Sequence, residues 1–176
     1  IYAAWTAYQG PLEFRRSTDR GETFSETIDI APESAQPARA PAIAVGPEDT
    51  VIIAWTVGEH DQADLRLAVS TDAGQSFSSP TTIVPSDGHS DAPKISVAAD
   101  RLHLTYAEAP EGMFEAYHVR YTRTPLRNII RQDEEVNFDG SERIARHAHF
   151  PSMTTIEQTV YLLWNHYPTP DEPPRG

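Results

Sequence analysis

The chain has no cysteine. That excludes a disulfide framework and any thiolate metal site, and it leaves the compartment open. No apolar run approaches the roughly 18 residues that a membrane-spanning helix needs. Positive charge is scarce. Only 14 Lys and Arg stand against 26 Asp and Glu, for a net charge of −12. Nucleic acid is therefore not an expected partner, because its binding needs clustered Lys and Arg. An anionic membrane surface is disfavoured for the same reason. A secretory leader is also missing. The chain opens directly on a strand-like run, Ile1 to Thr6, which points to a processed, truncated or partial chain.

Apolar residues make up 39% of the 176 positions, enough to build a core. Proline is abundant, at 15. Most prolines recur at matching places and read as strand punctuation. The exception is the stretch from Pro168 to Pro174, so residues 168–176 are expected to be a loop or disordered tail.

The dominant pattern is a repeat. Ser17-Thr18-Asp19-Arg20-Gly21-Glu22-Thr23-Phe24 and Ser70-Thr71-Asp72-Ala73-Gly74-Gln75-Ser76-Phe77 share one pattern, with their aspartates 53 positions apart. Ser and Asp side chains bond nearby backbone N–H groups and hold a turn without a ladder. Gly21 and Gly74 permit the positive φ that a tight hairpin requires. Phe24 and Phe77 can fold back against a sheet. The octapeptide is thus a self-contained hairpin turn, with Ser17, Asp19, Gly21, Phe24, Ser70, Asp72, Gly74 and Phe77 in structural roles.

Three further landmarks repeat. A proline opens an alternating strand at Pro41, at Pro93 and, more weakly, at Pro151. A β-rich run ends in an aromatic at Trp5, Trp55, Tyr106 and Trp164, spaced by 50, 51 and 58 residues. A third strand leads into each octapeptide and a short fourth one follows it. A period near 50 with four short strands per unit is the signature of a β-propeller blade. The expected fold is all-β, with four-stranded antiparallel blades. The units fall at approximately 1–36, 37–88, 89–146 and 147–167, about three and a half blades of a six- or seven-bladed ring. The third octapeptide is lost at Tyr121-Thr122-Arg123-Thr124. There Thr124-Pro125 is followed by the one stretch suited to a short helix, with Thr124 as cap.

The octapeptide, the Pro-led first strand and the Ala-Trp ending of the second strand together resemble the Asp-box (BNR) repeat of the sialidase superfamily. The resemblance covers nearly all of the chain before the Pro-rich tail. It implies a secreted or periplasmic setting. Arg39-Ala40-Pro41 is similar to that family's Arg-Ile-Pro motif, whose arginine clamps a substrate carboxylate, a task suited to a guanidinium. By the same resemblance Asp61, or else Asp64, takes the acid/base place, where a mobile carboxyl shuttles a proton. The family's further arginine has no match, since Val57-Gly58-Glu59 stands there. Its remaining arginines and its Tyr–Glu pair belong to later blades. Tyr106, Tyr117 and Tyr121 carry no motif that nominates a nucleophile.

Strand direction puts the loops before first strands and after second strands on one face, and the octapeptides on the other. Five of the seven histidines lie on the loop face: His60, His89, His147, His149 and His166. Glu108 falls there too. Two residues before each strand-opening proline stand Arg39, Asp91 and His149. These equivalent positions would ring the mouth of a central channel. The expected ligand face is therefore His60, His89, Asp91, His147 and His149, with Arg39 beside them. Histidine next to carboxylate also suits a divalent metal, but no ligand spacing of the known kinds occurs, so neither metal nor cofactor is expected. Trp5, Trp55 and Trp164 are read as blade packing, with sugar stacking as the alternative.

Two functions follow from the resemblance. One is a non-catalytic propeller segment that binds a glycan or a protein. The other is part of an exo-α-sialidase or related glycoside hydrolase. Three and a half blades leave open ends, so self-association or flanking blades are expected to cover them.

Overall fold

The structure is a computed structural model and describes residues 1–7, 10–32, 36–59, 63–84, 88–110, 117–131, 136, 138 and 140–167. His60, Asp61 and the Pro-rich tail lie outside the described residues. The rest forms four antiparallel sheets in chain order. The first holds β1 (Tyr2–Thr6), β2 (Leu12–Arg16) and β3 (Ile28–Asp29). The second holds β4 (Ala38–Val45), β5 (Val51–Val57), β6 (Asp64–Ser70) and β7 (Thr81–Val84). The third holds β8 (His89–Ala98), β9 (Arg101–Ala109), β10 (His118–Pro125) and β11 (Glu142–Arg146). A last hairpin pairs β12 (Ala148–Ile156) with β13 (Thr159–His166). The inner strands meet side by side, β1 against β4, β4 against β8 and β8 against β12. This is the radial stacking of propeller blades.

Alternation along β5 shows how the sheets are held. All seven of its residues are buried. Val51, Ile53, Trp55 and Val57 point into a core shared with Leu12, Phe14 and Ile30 of the first sheet. Ile52 and Ala54 point the other way, into a core with Leu102, Leu104 and Tyr106 of the third. A strand covered on both faces is apolar throughout, which is why this run reads Val-Ile-Ile-Ala-Trp. Trp55 is wholly buried and Trp5 is 36% exposed at the outer face of the first sheet. The buried place of Trp55 is that of a packing residue.

The octapeptides join β2 to β3 and β6 to β7. Ser70 Oγ donates to Asp72 Oδ1 at 2.7 Å and accepts the Gly74 N–H at 2.8 Å. Asp72 also accepts the N–H groups of Gln75 and Ser76 and the Ser76 hydroxyl. Ser17, Asp19, Gly21 and Thr23 repeat the arrangement. Those bonds, the Thr23 and Ser76 hydroxyls foremost, hold both carboxyls well below the usual range. Phe77 meets Phe14 of the neighbouring sheet edge-on, at 4.9 Å.

The third sheet departs from this plan as expected, with one correction. A helix, α1 (Leu126–Ile130), follows β10, but its cap is Pro125, without a side-chain hydrogen bond. Thr124 does not cap it. That residue is buried inside β10, and its hydroxyl oxygen accepts from Asn128 at 3.5 Å. No described helix is long and apolar enough to cross a membrane.

Candidate functional site

Strand direction puts the starts of β4, β8 and β12 and the ends of β5, β9 and β13 on the face opposite the octapeptides. One irregularity recurs there three times. The pairing register shifts between Arg39 and Ala42, between Asp91 and Lys94, and between His149 and Ser152. Within each shift the residue before proline has a left-handed backbone: Ala40 at φ 50°, Ala92 at 54° and Phe150 at 51°. Such values are costly for residues with a Cβ, and a following proline ordinarily favours extended backbone. A bulge of this kind bends the strand and re-aims the side chain beside it. The re-aimed residues are Arg39, Asp91 and His149.

Asp91 is the centre of the cluster. Its Oδ1 accepts the Thr56 hydroxyl at 2.8 Å and the Ala92 N–H at 2.7 Å, with Arg39 Nε at 3.4 Å. His89 Nε2 lies 3.7 Å from its Oδ2. Arg39 also donates to the Gly58 carbonyl. Tyr117 joins the imidazoles. Its ring lies 4.2 Å from that of His149 and stands edge-on to His89 at 5.8 Å. Phe150 flanks His149 at 4.1 Å and is 57% exposed, so an aromatic surface opens to solvent.

The electrostatics are one-sided. Burial alone would push the Asp91 carboxyl up. The Arg39 guanidinium, the Thr56 hydroxyl, the Ala92 N–H and His89 outweigh it and hold the carboxyl below its ordinary value. Burial pushes His149 down, partly offset by the charge of Asp91. Burial pushes the Tyr117 phenol up, and the Asp91 charge adds to that. At neutral pH the cluster is therefore an ionised carboxylate beside a neutral imidazole and a neutral phenol. The buried Nε2 of His149 has no hydrogen-bond partner within the protein.

The structure brings Arg39, His89, Asp91 and His149 together. His147 enters differently, through a backbone carbonyl that accepts the Tyr167 N–H at 2.7 Å. His60 and Asp61 cannot be placed in the cluster, since they lie outside the described residues. Glu108, on the same face, pairs with Arg120. Among the described residues no group of three or more His, Asp or Glu side chains is arranged to hold a metal ion. Sequence reasoning did not single out Thr56 or Tyr117. A signal existed for Thr56, because an aromatic-Thr pair ends both the Trp5 and the Trp55 runs. Tyr117 has no such signal, since it reaches the cluster from a loop.

Four radially stacked sheets with polar side chains gathered at one end of the inner strands define a β-propeller segment. The comparisons refine this to a sialidase-like propeller fold. The Hadza microbial sialidase Hz136 superposes with a TM-score of 0.64 at 16% identity, over 89% of this chain and 36% of its own. A mutant Trypanosoma rangeli sialidase displaying trans-sialidase activity gives 0.59 at 14% identity, over 88% and 29%. A Bombyx mori GH32 β-fructofuranosidase gives 0.56 at 13% identity, over 97% and 40%. At these identities the likeness is one of fold. The chain spans about a third of the length of the two sialidases it matches. No family model matches the sequence, and no curated protein matches it.

Proposed function

We propose that this chain is the glycan-binding part of a sialidase-like Asp-box propeller and that it works by recognition, not turnover. The observation that carries the reading is the state of Asp91. A half-buried carboxylate kept ionised by Arg39, Thr56 and Ala92 is a fixed acceptor for sugar hydroxyls. Tyr117, His149 and Phe150 supply the apolar faces on which a sugar ring rests. The same groups are poorly suited to acid–base work. A catalytic acid needs a pKa near the working pH, whereas Asp91 is held down and Tyr117 is pushed up. Arg39 is already engaged by Asp91 and the Gly58 carbonyl, so its clamp on a ligand carboxylate is weakened.

The competing reading is part of an exo-α-sialidase whose other arginines and Tyr–Glu pair come from further blades. Its support is the place of Arg39 beside Pro41 and the likeness to solved sialidases. One experiment addresses both. The chain and its Asp91→Asn variant are screened against immobilised glycans, and a fluorogenic sialoside is assayed in parallel. We expect glycan binding by the parent chain, at least tenfold weaker binding by the variant, and no fluorescence release. Turnover that vanishes in Asp91→Asn would replace the binding reading with the hydrolase one. Unchanged binding in the variant would remove Asp91 from the site.

A further inference from the structure

We propose a second carbohydrate site, on the outer rim between the first and second sheets, selective for a sugar that carries a carboxylate. It does not rest on the channel-mouth reading. A cavity of about 620 Å³ opens there, within the range of small-ligand sites. One wall is the run from Ile28 to Pro32 that ends the first sheet. The other is Arg66 of β6 with the run from Gln75 to Pro80 that follows the second octapeptide. Phe77 is fixed in this wall by its edge contact with Phe14.

Most polar groups lining the cavity are already used. The Ser76 hydroxyl donates to Asp72, and the Ser78 hydroxyl oxygen accepts the Val69 N–H. The Gln75 amide donates to the Asp72 carbonyl, and Asp29 accepts the Ala31 N–H. Among the charged ones Arg66 is the exception. Among the described residues its side chain makes no hydrogen bond and no ion pair. Its five N–H donors are arranged to take a carboxylate through two parallel bonds.

The third sheet shows what Arg66 lacks. Arg66 is the cross-strand partner of Trp55, as Arg120 is of Tyr106. Two residues beyond the aromatic, the third sheet has Glu108, which neutralises Arg120. The equivalent residue in the second sheet is the apolar Val57. Asp64, opposite Val57, does not take over that role, since its buried Oδ1 has no hydrogen-bond partner. A repeat that carries its own carboxylate in one blade and omits it in the next leaves a guanidinium for an external one. The Phe77 ring and the prolines Pro32 and Pro80 give the apolar surface against which a pyranose ring packs.

The probe is methyl β-glucuronide, with methyl β-glucoside as its neutral isostere. Calorimetry on the whole chain measures affinity, and amide shifts in the ¹⁵N-labelled protein locate the ligand. We expect the glucuronide to bind at least tenfold more tightly. Shifts should centre on Ile30, Ala31 and Ser79, leaving Ala92 and His149 unmoved. Arg66→Gln should erase the preference and Arg66→Lys should keep part of it. Val57→Glu, which installs the carboxylate of the third sheet, should also erase it in a protein whose amide spectrum shows the fold intact. Equal binding of both sugars, no binding, or a preference that survives Arg66→Gln would overturn the proposal. Shifts centred on Ala92 and His149 would overturn it too, while leaving the channel-mouth reading standing.

Discussion

Thr56, at the end of a strand in the second sheet, donates its hydroxyl to Asp91 Oδ1 in the third at 2.8 Å. The bond crosses from one blade to the next and is made by a wholly buried threonine. It therefore ties ring assembly to the ionised state of the candidate site. Thr56→Val keeps the shape and removes the donor. Losing a buried hydrogen bond to a charged group costs about 1.5–3 kcal/mol. Urea denaturation should show a loss of that order with an unchanged m-value, and glycan affinity should fall with it. A variant as stable as the parent would mean that Asp91 is served from elsewhere.

The same carboxyl sets an acid limit on stability. Its pKa is lower in the folded chain than in the unfolded one, so the unfolded state binds more protons as the pH drops. The stabilisation is complete above the unfolded value, near pH 4, and is lost as pH falls through the lower folded value. Asp91→Asn should be less stable than the parent at pH 7, and the gap should narrow as the pH falls below the unfolded value and through the lower folded one. A gap independent of pH would show that Asp91 contributes by packing alone.

His149 gives the opposite end of the scale. Burial lowers its pKa, so the folded state favours the neutral ring and the unfolded chain takes up the proton first. Stability should fall as pH drops through the unfolded value, near 6.5, and His149→Gln should flatten part of that slope. Burial also lowers His103 and His118, so some slope remains. Thermal melts between pH 5 and 8 measure the difference. Identical slopes in parent and variant would show that His149 does not titrate with folding.

The fold was legible because its signals are local and repeated. The octapeptides, the aromatic strand endings and the Pro-led strands each encode one corner of a blade, and all-β propeller architecture follows from their period. Part of the site was legible through register alone, since Arg39, Asp91 and His149 share the place two residues before proline. The backbone that presents them was not. Ala40, Ala92 and Phe150 have no intrinsic preference for positive φ, and only pairing of the flanking strands forces it. The roles of Thr56 and Tyr117 were missed for a related reason: their partners lie in the next blade or across a loop, and only Thr56 left a trace in the repeat. Pairing of Arg120 with Glu108 likewise needed the strand register before it could be seen.

The bulges give a further test. Ala92→Gly should be tolerated with Asp91 still in place, because glycine adopts φ 54° without strain. Ala92→Val should cost about 1–3 kcal/mol, as a branched residue at positive φ does. Chemical denaturation ranks the two. Equal effects would mean that the left-handed backbone is not retained in solution.

The two octapeptide glycines separate backbone strain from crowding. Gly21 has φ 95° and Gly74 has φ 78°, so alanine is strained at both. A Cβ at Gly21 would lie 3.1 Å from the mobile end of Ile1, which can move aside. At Gly74 it would lie 2.8 Å from the Phe14 ring, which is wholly buried and packed against Phe77. Gly21→Ala should cost about 1–2 kcal/mol, the backbone share alone. Gly74→Ala adds an overpacking cost of about 1–3 kcal/mol. The difference should vanish when Phe14→Leu is introduced, since the smaller side chain admits the new methyl group. A double-mutant cycle measures this coupling. Additive losses would locate the whole penalty in the backbone and release Phe14 from the account.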